Sequence, residues 1–160
     1  MPVWTDIARS SSPMVKLLHE WWMGHRPEGD IPDRSALLPE HLAPLLPNIL
    51  MTDIEASPFR VRYRLVGTKV VANVGFDFTG GYLDELEPKP APIPWLDYYR
   101  AVVETREPLL GSVEDVAAAG GSFTYEFGLF PLRRGSTMVA QCIAVEDYFG
   151  FQAKSAQWPR

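Results

Sequence analysis

Three histidines, a single cysteine, one strand-borne glutamine and a set of aromatic residues are the side chains whose types could support chemistry. A metal centre needs several converging nitrogen, sulfur or carboxylate ligands. His19 and His25 are six residues apart, so they do not share a helical face as an i, i+4 pair would. All three histidines, His41 included, precede the first strand-like run, and no His-x-x-x-His or Cys-x-x-Cys spacing occurs. They read as surface or interface residues, and no metal is expected. Cys142 stands alone, which excludes an internal disulfide framework, and reads as a small buried hydrophobe. No glycine-rich phosphate loop, Gly-x-Ser-x-Gly elbow or Asp-rich metal loop is visible, so no catalytic residue is assigned.

Ligand recognition is the chemistry left. Tyr63, Phe76, Trp95, Tyr98, Tyr99, Phe123, Tyr125 and Phe127 fall on faces predicted to point at one core. They either line an apolar cavity with polar tips or fill that core completely. In the run Met138 to Val145, Gln141 points inward if Val139, Ile143 and Val145 do. A buried amide must find partners; a ligand, a neighbouring strand or an outward turn of the strand are the alternatives. Asp77 and Thr79, between Gly75 and Gly80, read either as a mobile flap or as local loop capping. Arg60, Arg62 and Arg64 are either an anionic docking stripe or a solvated strand face.

The elements that must position these residues follow from periodicity. Residues 1–12 end in Ser10-Ser11-Ser12 and read as a flexible lead-in. Pro13 after a serine is a helix-start signal, and Leu17, Leu18, Trp21 and Trp22 give a helix over 13–25 an apolar face. Asn48 to Glu55 reads as a strand, Ser57-Pro58 as a turn, and Phe59 to Leu65 alternates apolar and basic residues without error. The middle is irregular, with a short helix over 69–73, a Pro-rich stretch at 88–94 and a helix over about 95–105 that carries an aromatic face. Strands over 109–116, 123–132 and 137–147 close the domain, joined by hairpin-like turns. The expected fold is α+β: a five-stranded antiparallel sheet with helices on one face, preceded by the N-terminal helix. Residues 13–147 form a single domain on this reading, and 148–160, with Tyr148, Phe149, Phe151 and Trp158, an aromatic C-terminal tail.

Composition bounds the partners. The chain of 160 residues is 46% hydrophobic with a formal charge of −5, so a core is affordable and attraction to nucleic acid has the wrong sign. No secretory signal is read at Met1 to Asp6, and no stretch reaches the roughly 18 apolar residues that membrane insertion needs. A cytoplasmic location is the expectation.

Four stretches carry a resemblance to a known family. They are Glu20-Trp21-Trp22 with Arg26, the run Leu45 to Ile54, Arg62-Tyr63-Arg64-Leu65-Val66-Gly67-Thr68 with Gly75 to Gly80, and Phe130-Pro131-Leu132. The chain resembles the PAS superfamily, specifically a bacterial family of single-domain PAS proteins of largely uncharacterised role. The resemblance implies a sensor that holds a small ligand between sheet and helices or binds protein through the sheet's outer face. A haem-binding member would need a histidine within 68–106, and a photoactive flavin member a cysteine in the same helical middle; neither occurs. No cofactor is expected, although an unidentified small ligand is compatible with the fold.

The functional expectation is therefore a non-catalytic PAS-like sensory or regulatory module acting in trans on an unknown protein partner. Tyr63, Phe76, Trp95, Tyr98, Tyr99, Tyr125, Phe127 and Gln141 are its candidate pocket. Trp21 and Trp22 are the apolar anchors of an expected homodimer. Two alternatives stand beside it. One is a small, cone-shaped NTF2-like enzyme using Asp97 or Asp115 as a pocket carboxylate. The other is a ligand-free PAS module whose role is protein contact alone.

Overall fold

The structure is a computed structural model and describes residues 3–86, 93–116 and 121–148, without the side chains of Asp115, Val116, Ser122 and Phe123. The expectations placed on the stretch 88–92, on Phe123, on Asp115 and on Phe149, Phe151 and Trp158 lie outside the described residues.

Alternation holds through Val61 and Tyr63 in the first hairpin and fails at Leu65, which a bulge opposite Met51 and Thr52 leaves exposed. β2 (Ile49–Ala56) and β3 (Phe59–Val66) pair antiparallel through the Ser57-Pro58 turn, whose peptide bond is cis. Val61 and Tyr63 are buried, whereas Arg62 and Arg64 are exposed. β4 (Leu109–Val116), β5 (Ser122–Arg133) and β6 (Val139–Asp147) follow as consecutive antiparallel neighbours. β6 also pairs antiparallel with β2, so the early hairpin and the late strands form one sheet.

That sheet has six strands rather than the expected five, in the order β1-β4-β5-β6-β2-β3. The additional strand, β1 (Val3–Trp4), lies within the stretch read as a flexible lead-in and pairs with Leu110 and Gly111 of β4. Two residues carry no periodicity, so only their partner strand reveals them. The rest of the lead-in is equally engaged. Glu126 accepts from the Ser10 hydroxyl at 2.6 Å and from the backbone N–H groups of Ser11 and Ser12. Ser12 then caps α1 (Pro13–His25), accepting from Val15 N–H while donating to Asp147 at 2.6 Å.

Helices cover both faces of the sheet, not one. α1 packs on β5 and β6, with His19 and Trp22 against Phe130. The chain then turns through α2 (Pro39–Leu42) and enters β2. The opposite face is roofed by α3 (Thr68–Val74) and α4 (Trp95–Thr105). Trp22 is fully buried and its indole N–H donates to Pro131 O at 2.9 Å. Trp21 is also buried, stacked on His25. The two tryptophans expected to anchor a dimer are thus spent inside a single chain, and α1 keeps Leu17 and Met23 as its exposed large apolar groups.

The Gly67-Thr68 stretch has a steric reason. Gly67 N–H donates to Ile49 O at 2.7 Å, which draws this backbone onto the entry to β2. A Cβ there would collide with the Pro47 carbonyl and lie 2.7 Å from Leu46 O. Gly67→Ala is therefore expected to destabilise the fold by about 1–3 kcal/mol, read as a lower urea midpoint at unchanged slope. A midpoint equal to that of the native chain contradicts the close approach. At its other end α3 stops at Gly75, whose φ of +100° suits glycine.

Candidate functional site

The face under α3 and α4 gathers most of the predicted pocket. Tyr63 and Thr52 pair across β3 and β2, Thr52 pairs with Cys142 of β6, and Phe127 of β5 lies opposite Glu146 of β6. Residues directly opposite in an antiparallel pair share a face. On that face Tyr63, Tyr99, Tyr125 and Phe127 are buried. Phe127 meets Trp95 edge-to-face at 4.9 Å and stacks with Tyr98 at 5.9 Å, and both helix residues remain half-buried. Phe76 sits further out, 5.9 Å from Phe78, which in turn packs on Tyr63 at 4.7 Å.

Polar groups are threaded through these rings. Burial pushes the Tyr63 phenol up, and the Glu146 carboxylate adds to the shift. Tyr99 is raised in the same way by burial, against a hydrogen bond with Thr52 that favours its charged form. Tyr148, 5.0 Å from Tyr125 between ring centroids, donates its hydroxyl to Glu146 and interacts with Asn73. Burial also pushes the Cys142 thiol up, which keeps it protonated. Glu146, Thr52 and Asn73 were not singled out from sequence. Cys142, Ala144 and Glu146 alternate along β6 and share the face of Phe127, opposite to Gln141, Ile143 and Val145.

Gln141 is the correction. It pairs with Leu132 and Asp53 on the α1 face, away from Tyr63 and Phe127. Its Nε2 donates to Asp53 at 2.9 Å, and Asp53 pairs with Arg64 at 3.2 Å. From Gln141 to Val145 every residue of β6 is buried whichever way it points, so strand alternation alone could not choose its face.

The remaining candidates are engaged locally. Arg60 pairs with Asp84 and Glu85, at 3.2 and 2.6 Å, and its guanidinium lies over Tyr82. Arg62 donates to Gly80 O. The arginine stripe is thus partnered within the chain rather than held out for an anion. Asp77 accepts from the Thr79 N–H and hydroxyl, which lower its pKa; this is loop capping. His25 and His41 do approach each other, at 5.5 Å between centroids. His25 Nδ1 donates to Trp21 O and His41 Nδ1 accepts from Leu38 N–H, so both rings are bound into local structure beside Trp21. Asp97 is exposed on α4, so it is not a carboxylate enclosed by the pocket.

A sheet of this order with a helical roof over an aromatic face defines a PAS-type domain. The chain belongs to the PAS domain family, whose model matches residues 10–144. It is similar in fold to an RNA-binding light-oxygen-voltage receptor, at 19% identity and a TM-score of 0.53, covering 82% of this chain but 37% of that one. It is also similar to a light-oxygen-voltage domain studied with a flavin analogue (16% identity, TM-score 0.52, 74% of this chain and 88% of that one). The dark structure of the blue-light photoreceptor Aureochrome1 LOV is a third (16% identity, TM-score 0.51, 79% and 96%). No curated protein matches the sequence. The chain therefore spans little more than a third of the RNA-binding receptor's length.

Cysteine-adduct flavin chemistry does not fit these residues. The single thiol lies in β6, fully buried, whereas α3 and α4 contain no cysteine. Among the described residues no helix is long and apolar enough to cross a membrane.

Proposed function

We propose that the chain is a non-catalytic sensory or regulatory module. It binds a small ligand between the sheet and the α3–α4 layer and passes the bound state to a protein partner in trans. One observation carries this reading. The face holding Tyr63, Tyr99, Tyr125 and Phe127 is not purely apolar, because it also places Thr52, Cys142 and Glu146 among the rings. Buried polar groups among aromatics are how ligand sites fix orientation. The half-buried Trp95 and Tyr98 supply a rim that solvent reaches. The receiver is a second copy of this chain or another protein, and the site of action is the cytoplasm.

The test compares native with denaturing mass spectrometry on the purified full chain. The expected result is a mass excess in the native spectrum that disappears on denaturation. Equal masses, combined with no thermal shift from any compound of a small-molecule library, sink the proposal.

A further inference from the structure

α1 and α4 lie on opposite faces of the sheet, yet their C-terminal ends are tied together by ion pairs. Arg26 is the C-cap of α1 and Arg106 the C-cap of α4. Arg26 grips Glu107 in a fork, at 2.9 and 3.2 Å, and its Nε donates to Asp30 O at 2.8 Å. Arg106 donates to the Asp30 carboxylate and, at 2.8 Å, to Thr137 O in the turn between β5 and β6. Because Arg106 and Glu107 are consecutive, Arg26, Asp30, Arg106 and Glu107 close a ring of alternating charge. A lone exposed ion pair holds little, but a forked pair within a network is the exception. Arg106 has a φ of +58°, the left-handed region that glycine takes without strain, so what an arginine adds there is its side chain. Arg26 also lies over Trp22, 4.4 Å from the ring centroid, and Trp22 is fully buried against the sheet. Movement of the end of α4 therefore pulls on the last turn of α1 and on its buried tryptophan.

We propose that this ring is the link by which a change in the α4 roof reaches α1. It supplies the transmission step of the sensory reading above and rests on that reading for the event that moves α4. Towards its other end α4 carries Trp95 and Tyr98, whose rings meet Phe127 on the roofed face. A ligand entering beside Phe127 shifts these rings, α4 moves as a rigid element, and its C-cap draws on Asp30 and Arg26. The competing route runs through the sheet. β5 carries Phe127 on the roofed face and Phe130 under α1, so a strain in β5 reaches Trp22 without the ring.

Hydrogen exchange on the full chain separates the two routes, with a substitution standing in for the ligand. Tyr98→Ala takes one ring off Phe127 and loosens the roof. The amides of Trp22 to His25 are then expected to exchange at least about fivefold faster, the lower end of usual coupling between sites, whereas Leu17 and Leu18 change only as the core of β5 does. Arg106→Gly with Glu107→Ala cuts the ring and keeps the φ that ends α4. In that background, adding Tyr98→Ala is expected to leave the last turn of α1 no faster than cutting the ring alone does. A pair that merely stabilises the fold gives additive effects instead. Thermal unfolding establishes that each variant is folded, and Trp95→Phe disturbs the same roof contact more mildly should Tyr98→Ala not fold. An unchanged last turn in both roof variants overturns the link. The same acceleration with the ring cut also overturns it and assigns the coupling to β5. These readouts use no ligand, so their failure leaves the small-ligand site standing, whereas equal native and denatured masses remove that site and leave the coupling in place.

Discussion

Trp22→Ala is expected to lower the unfolding free energy by about 3–5 kcal/mol, a large part of the roughly 5–15 kcal/mol that holds a typical domain folded. Three losses combine. The indole is fully buried against Phe130, so truncation leaves a cavity between α1 and the sheet. Its N–H is the donor to Pro131 O, and that buried carbonyl loses a partner. The guanidinium of Arg26, 4.4 Å from the ring centroid, loses the face it covers. Urea unfolding at several protein concentrations is the measurement. A midpoint shift independent of concentration marks Trp22 as a core residue of one chain. A deficit below about 1 kcal/mol, or one that vanishes as concentration rises, returns the residue to a dimer contact.

How much of this was legible in the chain depended on which faces are covered. β3 was readable because its arginines stand outward while Val61 and Tyr63 go in, so the period of two survives in the sequence. β6 was not, because α1 covers one of its faces and α4 the other. A strand buried on both sides becomes a nearly continuous apolar run with no phase to read. The cost fell on the candidate site: Gln141 was assigned to the pocket it faces away from, and Glu146, with its neighbour Cys142 on the pocket side, was passed over. The aromatic positions on α4 were readable because an i, i+3, i+4 pattern fixes a helical face without reference to a partner. The same logic found the apolar face of α1 but could not say what it meets. Two tryptophans on a helix fit a dimer seam and a sheet equally well until the sheet is present.

The lead-in was opaque for a different reason, and it supplies the second large effect. Ser10-Ser11-Ser12 looks like a linker because its partners, Glu126 and Asp147, lie more than a hundred residues away. In the fold Glu126 is buried and gathers one hydroxyl and two backbone N–H donors at the entry to α1. These N–H groups belong to the turn that opens a helix, where no intrahelical acceptor exists for them. Glu126→Ala removes the acceptor of the Ser10 hydroxyl and the Ser11 N–H, and leaves the Ser12 N–H only the Ser10 Oγ at 3.3 Å. The expected loss is about 1–3 kcal/mol, chiefly from the buried Ser10 hydroxyl left without its acceptor rather than from a lost ion pair. Glu126→Gln keeps one carbonyl oxygen for those donors but removes the charge, so its loss should be smaller. Hydrogen exchange separates the two ways of losing that stability. If Glu126 secures the entry to α1, the amides of Ser11, Ser12 and Val15 exchange faster in Glu126→Ala by more than the global destabilisation explains. If those amides exchange only as fast as the core of β5 and β6, the carboxylate is not a local fastening, and the lead-in is held by β1 and the burial of α1 alone.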